Sequence, residues 1–192
     1  MKRLVVASTN AGKIREVSLA LSDVPDWNVE SLPDLADIEE TGTTFLENAS
    51  LKAAHYSRHI EGLVLADDSN LCVHALDDRP GVHSARYAPS AEERNERLLG
   101  ELAALGLDAD RGAAFHCAFA VARAGTIVWT VQSDLPGRIA SQPAGEFGFG
   151  YDPIFFVPDY GRTLAQMSVS EKNKVSARGR ALMELRTFLV SQ

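Results

Sequence analysis

A β-hairpin in the second half of the chain limits the folds that this sequence can adopt. In residues 115–121 and 127–131, apolar side chains alternate with smaller or more polar ones, and Gly125 lies between the two runs. Alternation with a period of two around a short glycine turn is typical of antiparallel strands. The other predicted strands are separated by helices, which favours an α/β fold. Because a purely parallel sheet cannot contain this hairpin, the sequence predicts a central mixed β-sheet with flanking helices.

Local signals divide the rest of the chain into helices and strands. Two capping boxes, Thr44 with Glu47 and Ser90 with Glu93, mark helix starts. The first of these helices should run to about Ile60. The other expected elements are strands at 3–7, 63–66 and 154–157, an irregular strand within 23–33, and helices beginning near residue 12, ending at 105 before Gly106, and covering 180–190.

The composition indicates an ordinary globular protein of 192 residues, with 45% apolar and 23% charged side chains. We expect a single domain over residues 1–192, in which two lobes share one sheet. The net charge of −7 argues against nonspecific nucleic-acid binding, since neutralising phosphates needs a basic surface. No segment approaches the roughly 18 apolar residues of a membrane span, and the apolar run after Arg3 is too short for a signal peptide. Cys72 and Cys117, both flanked by apolar residues, are expected to be buried thiols in a reducing cytoplasm.

The apolar run at residues 63–66 ends in two carboxylates, Asp67 and Asp68. Successive residues of a strand point to opposite sides, so one acid can face a ligand while the other is held locally. A carboxylate at this position can bind magnesium or orient a water for attack at phosphorus. Glu39 or Glu40 could supply a second metal ligand. Taken alone, a turn at residues 68–70 and a solvated acidic pair at Glu39 and Glu40 are the simpler interpretations.

Two segments that contain lysine could bind phosphates. The loop Ser8-Thr9-Asn10-Ala11-Gly12-Lys13 leads into a helix N-terminus, where backbone N–H groups favour anions. It lacks the spacing of a P-loop, and an ordinary helix start is an equally good interpretation. Asn48 and Lys52 lie one turn apart beside the apolar face of the next helix, although Lys52 could simply extend along that face.

A segment rich in glycine and aromatic residues, at 145–153, has the least ordinary composition in the chain. Its glycines allow the backbone to approach a ligand closely, and Phe149 and Tyr151 offer flat faces for a purine. Asp152 could accept a hydrogen bond from an N–H edge of the base. A structural glycine turn with core aromatics is the alternative. The basic residues of segment 171–179 either contact a ligand before the last helix or form a solvated turn.

Assembled in this order, the segments resemble the inosine/xanthosine triphosphate pyrophosphatase family, and the resemblance covers nearly the whole chain. Several ordered motifs at compatible spacing are far more specific than any one of them alone. The motifs are Ser8 to Lys13, Glu39 to Ala49 with Lys52, Ala66-Asp67-Asp68-Ser69, Pro80 to Tyr87, Gly148-Phe149-Gly150-Tyr151-Asp152-Pro153, and Glu171-Lys172-Asn173.

The resemblance implies magnesium-dependent hydrolysis of ITP, dITP and XTP between the α and β phosphates. It also implies an elongated α/β fold with a substrate cleft between two lobes, and a homodimer. Asp68 matches the water-activating base and a metal contact, with Glu39 or Glu40 as the other metal carboxylate. The remaining matched positions are triphosphate contacts in Ser8, Thr9, Asn10, Ala11, Gly12, Lys13, Lys52 and Ser69, and base contacts in Phe149, Gly150, Tyr151, Asp152, Lys172, Ala177 and Arg178.

Two positions depart from the family pattern. Ala177 stands where histidine is usual, so we expect weaker selectivity or lower efficiency, with Arg178 left to contact the 6-oxo group of the base. Asn70 stands where glycine is usual, and asparagine tolerates the positive φ expected of a turn. The alternative functions are a nucleotide-binding protein with weak or broadened pyrophosphatase activity, a pyrophosphatase for ordinary or methylated nucleotides, and a nucleic-acid-binding module, which the acidic charge opposes.

Overall fold

A computed structural model describes residues 1–31 and 38–192 of the protein. Seven strands in these ranges form one sheet in the order β2-β1-β3-β4-β5-β6-β7. The strands are β1 (Lys2–Val6), β2 (Trp27–Ser31), β3 (Leu63–Val73), β4 (Gly112–Arg123), β5 (Thr126–Ile139), β6 (Phe155–Val157) and β7 (Arg162–Thr163). Strand β1 pairs in parallel with β2 and β3, whereas β6 pairs antiparallel with β5 and β7. The predicted mixed sheet is therefore confirmed. The last two residues of the predicted strand at 23–33 lie outside the described residues.

The α-helices of the described residues are α1 (Ala11–Leu21), α2 (Phe45–Tyr56), α3 (Ala91–Ala104), α4 (Val169–Val175) and α5 (Ala177–Val190). Both predicted capping boxes are present, at the starts of α2 and α3. Helix α2 ends at Tyr56 rather than near Ile60, because residues 57–62 form the turn that leads back into β3. None of the helices within the described ranges is long and apolar enough to cross a bilayer.

The predicted hairpin is confirmed at Gly125. Strands β4 and β5 are joined by Ala124 and Gly125, whose φ angles are 49° and 82°. A two-residue turn with both φ angles positive matches the twist of the strands that it joins. Glycine adopts such a φ without steric cost, which explains why it marks this turn in the sequence.

Strand β3 is longer than the sequence predicted. It was expected to end at Ala66, but it continues through Asp67 and Asp68 to Val73. The predicted turn at residues 68–70 is therefore wrong. The expected positive φ at Asn70 is wrong as well, since this residue lies within the strand and is not among those with positive φ. Hydrogen bonding to strands on both sides, together with side-chain partners for the acids, outweighs the local preference of Asp, Ser and Asn for a turn.

The basic segment at 171–179 is helical except at Ser176, so the alternative of a solvated turn is wrong. Helix α4 begins with a capping box formed by Ser168 and Glu171, and α5 begins at Ala177 instead of near residue 180. Lys172 and Arg178 are only 4% and 7% exposed. Buried partners, which the local sequence does not reveal, account for this difference.

The chain divides into two compact units. Unit 1 comprises Met1–Ser69, Cys117–Ser133 and Ala177–Gln192, and unit 2 comprises Asn70–His116 and Asp134–Ser176. The core of unit 1 joins small residues of α2 to the inner residues of three strands, among them Val5, Ala7, Ala49, Ala53, Tyr56, Val64, Ala66, Ala118 and Ala120. In unit 2, Leu98 and Leu102 of α3 are fully buried, and the rings of Phe115 and Phe155 lie 4.6 Å apart.

The two cysteines are free and buried, as predicted. Burial raises the pKa of Cys72 to about 11 and that of Cys117 to about 12. Both thiols are therefore protonated and unreactive near neutral pH.

Candidate active site

Asp67 is the centre of an ion-pair network in unit 1. Its Oδ1 accepts a hydrogen bond from Lys13 Nζ at 2.6 Å, and its Oδ2 accepts from two guanidinium nitrogens of Arg178 at 3.0 and 3.1 Å. Arg178 donates in turn to Glu16 at 2.7 Å. The Ser69 hydroxyl adds a bond to Asp67 Oδ2 at 2.9 Å. Charges thus alternate in sign along the network, so that each buried ion has an opposite neighbour.

The network fixes the protonation state of Asp67. Burial would raise the pKa of this carboxyl, but the charges of Lys13, Arg178 and Lys52 outweigh burial and hold the pKa well below its ordinary value. Burial would also lower the pKa of Arg178, whereas Asp67 and Glu16 raise it. Asp67 therefore stays ionised at neutral pH and is unsuited to accept a proton. It serves to hold cations in place.

Asp68, the next residue of β3, has a different kind of partner. Asn48 Nδ2 donates a hydrogen bond to Asp68 Oδ2 at 3.3 Å. Asn48 and Asp68 are 2% and 7% exposed. As expected for alternate residues of a strand, the two acids contact different groups. One partner of Asp68 is therefore a neutral amide, whereas Asp67 is paired with cations.

Lys52 connects the loop that contains Glu39 and Glu40, here called the acidic loop, to β3. Its Nζ donates to Glu40 Oε1 and to the backbone carbonyl of Asp67, both at 2.7 Å. Burial would lower the pKa of Lys52, but the charges of Asp67 and Asp68 and the bond to Glu40 raise it. The alternative in which Lys52 merely extends along an apolar face is therefore wrong. Glu40 is the glutamate that contacts this cluster, while the side chain of Glu39 is exposed.

The loop from Ser8 to Lys13 combines a helix cap with a ligand-accessible cation. Asn10 Oδ1 accepts hydrogen bonds from the N–H groups of Gly12 at 2.9 Å and Lys13 at 3.2 Å, and Ser8 Oγ accepts from Asn10 N–H. Two N–H groups predicted to favour an anion are thus already bonded to Asn10. The ammonium of Lys13, whose side chain is 18% exposed, is the cation that this loop contributes. Thr9 and Ala11 are exposed.

In unit 2, the glycine-rich segment is organised around Asp152. Its Oδ2 accepts from Lys172 Nζ at 2.5 Å and from Phe149 N–H at 2.7 Å. The ammonium of Lys172 lies 4.5 Å from the centre of the Phe149 ring. Gly148 has a φ of 77°, and a Cβ at this position would lie 2.1 Å from Asp152 Oδ2. A half-buried aromatic face, a buried ammonium and a buried carboxylate are thereby fixed as one group.

Tyr151 has a structural position in this segment. It is 5% exposed, its hydroxyl donates to the Ser84 carbonyl at 2.9 Å, and burial raises its pKa. The carbonyl of Gly150 accepts a hydrogen bond from Asn95 Nδ2 at 3.1 Å. The predicted core aromatic alternative therefore describes Tyr151, whereas Phe149 keeps a partly accessible ring.

The residues at the start of α5 belong to unit 1. Ala177 is 3% exposed, and its carbonyl accepts a hydrogen bond from Ser133 Oγ at 2.6 Å. Arg178, which the resemblance grouped with Lys172, has Asp67 and Glu16 among its partners.

Sequence reasoning missed two buried polar groups, Glu16 and Asn95, and the partners of a third, Asp67. Glu16 is 2% exposed and lies one turn after Lys13 on α1, a spacing that could have suggested a shared role. Asp67 was noted, but its partners Lys13 and Arg178 are 54 and 111 residues away in the chain. Asn95 carries no distinguishing signal in the sequence.

The acids of unit 1 suit a hard cation. Within residues 1–31 and 38–192, no three His, Cys, Asp or Glu side chains are grouped so as to enclose a metal ion. Magnesium in nucleotide sites usually takes one or two carboxylates, with phosphate and water oxygens completing its shell. Asp68 and Glu40 both act electrostatically on the ammonium of Lys52. The carboxylate oxygens of Asp68 and Glu40 are donors of the kind that a hard divalent cation takes.

A mixed α/β sheet with two buried acids on one strand, and with lysines from two helices beside them, defines a class of proteins suited to phosphate chemistry. A sequence model of the Ham1 family matches residues 4–188, so this chain belongs to the Ham1 family. The dITP/XTP pyrophosphatase of Geobacillus kaustophilus is 48% identical over 193 residues, which cover 96% of this chain and 93% of that protein. The dITP/XTP pyrophosphatase of Geobacter sulfurreducens is 46% identical over 195 residues, with 98% and 97% covered. The solved structure of a HAM1 protein from Coxiella burnetii matches all of both chains, with a TM-score of 0.88 and 40% identity.

Proposed function

We propose that this protein hydrolyses the deaminated purine nucleotides ITP, dITP and XTP to the nucleoside monophosphate and pyrophosphate. The names of relatives with 46% and 48% identity over nearly the whole chain support this substrate class. One observation carries the mechanism: the adjacent acids of β3 are held differently. Asp67 is paired with the cations of Lys13 and Arg178, whereas Asp68 accepts a hydrogen bond from the neutral amide of Asn48 and is proposed as the base.

In the proposed reaction, a water molecule attacks the α-phosphorus and gives its proton to Asp68. The water oxygen remains on the monophosphate, and the bridging oxygen leaves with pyrophosphate. Lys13 and Lys52 donate hydrogen bonds to the triphosphate and drain charge from it, with Ser69 and the loop of residues 8–13 beside them. Magnesium, held by Asp68 with Glu40 or Glu39, supplies further charge neutralisation on the phosphates when bound.

The base contacts are proposed for the group around Asp152. The Phe149 ring provides a face for stacking, and the Lys172 ammonium provides donors for a 6-oxo group. A 6-amino group would leave these donors unpaired, which can cost a factor of about 10⁴ or more in kcat/KM. Gly150 holds this segment through its backbone carbonyl, and Tyr151 holds it through its buried side chain. Arg178 and Ala177 are also assigned to base recognition.

The proposal includes a homodimer in the cytoplasm. The free thiols of Cys72 and Cys117 fit a reducing compartment. Light scattering on the purified protein should give a mass of about twice the chain mass of 20.8 kDa. A mass of one chain at micromolar concentration would contradict the dimer without affecting the proposed reaction.

A panel of nucleoside triphosphates tests the proposed reaction. Wild type and Asp68→Asn are incubated with ITP, dITP, XTP, GTP and ATP in magnesium buffer, and the products are separated by ion exchange. We expect IMP and pyrophosphate from ITP, much slower turnover of ATP, and little product from Asp68→Asn. Release of inosine diphosphate and phosphate, or tight ITP binding without any product, would overturn the proposal. The second result would favour the nucleotide-binding alternative.

A further inference from the structure

Asn48 joins two parts of unit 1 through one side chain. It lies in the first turn of α2 and is 2% exposed. Its Oδ1 accepts a hydrogen bond from Gly42 N–H at 2.8 Å, and its Nδ2 donates to Asp68 Oδ2 at 3.3 Å. Gly42 closely follows the acidic pair of the loop, and Asp68 lies on β3. One carboxamide therefore links the acidic loop to the strand.

The loop is seated directly on the start of α2. The carboxylate of Glu47 accepts hydrogen bonds from Thr43 N–H at 2.7 Å, from Thr43 Oγ1 at 2.8 Å and from Thr44 N–H at 3.1 Å. A Cβ on Gly42 would lie 2.6 Å from Asn48 Oδ1 and 2.7 Å from Glu47 Cβ. Only glycine permits so close an approach. The position of the loop relative to Asn48 is thus tightly defined.

The two partners also fix the orientation of the amide. The N–H of Gly42 requires the oxygen of the carboxamide, so the NH₂ group must point to Asp68. A neutral amide can orient a carboxylate through a hydrogen bond without placing a charge beside it. We infer that Asn48 is a positioning residue that fixes the Asp68 carboxylate relative to the acidic loop. This inference rests on the hydrolysis proposed above, in which Asp68 accepts the proton of the attacking water.

A double-mutant cycle tests the inference. The kcat and KM for ITP are measured for wild type, Asn48→Leu, Asp68→Asn and the double variant. We expect Asn48→Leu to lower kcat about 10- to 100-fold, because misplacement of a reacting group has costs of this size. The KM should change less than about threefold. In the Asp68→Asn background, the same Asn48→Leu change should lower kcat less than about threefold, since Asn48 acts through Asp68.

Two further variants separate positioning from folding. Asn48→Asp keeps an acceptor for Gly42 N–H but replaces the donor to Asp68, so it should lower kcat as Asn48→Leu does while retaining the fold. Ser57→Ala serves as the matched control, since Ser57 is 2% exposed at the other end of α2 and accepts a hydrogen bond from Gly125 N–H. It should lower the melting temperature with kcat unchanged.

The possible results separate this inference from the proposed function. If wild type releases pyrophosphate from ITP but both Asn48 variants keep wild-type kcat, the positioning role is refuted and the proposed function stands. Equal losses on Asn48→Leu in both backgrounds would also refute it. If wild type forms no pyrophosphate, the proposed function fails first, and the inference fails with it.

Discussion

Replacing Asp67 with asparagine should destabilise the protein far more than the same change at the adjacent Asp68. Asp67 lies 2.6 Å from the ammonium of Lys13 and 3.0 Å from the guanidinium of Arg178. The Arg178 side chain is 8% exposed, so its charge depends on protein partners instead of water. Asparagine retains the shape of aspartate but removes the charge that compensates these two cations.

The size of the effect follows from the partners that remain. Breaking a buried ion pair by removing one member costs about 3–5 kcal/mol. Arg178 keeps Glu16 at 2.7 Å and Lys13 is 18% exposed, which places the cost at the lower end, about 3 kcal/mol. For a chain of this length, that loss lowers Tm by about 6–12 °C. At Asp68, asparagine can still accept the hydrogen bond from the amide of Asn48, so we expect a change in Tm below about 2 °C.

The assay is thermal unfolding at pH 7, followed by circular dichroism, together with pyrophosphate release from ITP. At this pH the Asp67 carboxyl is ionised in both the folded and the unfolded protein, so the comparison is free of protonation effects. Asp68→Asn should keep its Tm and lose about 10²- to 10⁴-fold in kcat, as expected when a general base is removed. A Tm for Asp67→Asn within 2 °C of wild type, or equal losses of Tm in both variants, would refute the conclusion that Asp67 stabilises the fold by compensating Lys13 and Arg178.

Three further predictions concern other parts of the molecule. Gly148→Ala should raise KM for ITP about tenfold and lower Tm, because a Cβ at φ 77° would lie 2.1 Å from the Asp152 carboxylate; steady-state kinetics and melting curves check this, and an unchanged KM would contradict it. Hydrogen bonds from Ser168 lower the pKa of Glu171 from 4.5 to about 2, so its contribution to stability is present above pH 4.5 and lost as pH falls toward 2. Glu171→Gln should therefore reduce the fall in Tm between pH 7 and pH 3, and an equal fall in both proteins would disprove this linkage. Ala177→His should raise the ratio of kcat/KM for ITP to that for ATP about tenfold, because an added donor would pair with a 6-oxo group and not with a 6-amino group; an unchanged ratio in a variant with wild-type Tm would contradict this role of the histidine.

The sequence located the elements whose causes are local. The capping boxes at Thr44 and Ser90 join residues three apart in the chain, and the turn at Gly125 needs only two residues with positive φ. These hydrogen bonds and φ preferences involve only residues that are close together in the chain, so the pattern of residue types predicts them. The mixed sheet followed from the same hairpin.

The sequence could not predict which buried charges meet. Strand β3 was expected to end before its two acids, and the segment that contains Lys172 and Arg178 was interpreted as a possible solvated turn. Both depend on partners distant in the chain: Lys172 pairs with Asp152, and Arg178 with Glu16 and Asp67. A lysine or arginine has the same local preferences whether it is solvated or buried beside a carboxylate.

The sequence by itself thus determined the elements that have local causes, the mixed sheet and the polar residue types available for phosphate chemistry. The tertiary structure decided how the partners are divided between the two acids of β3. Asp67 became an ionised anchor because Lys13 and Arg178 reach it from distant segments. Asp68 received the neutral amide of Asn48. This division depends on which charges lie within a few ångströms in a buried environment, and only the folded chain sets those distances.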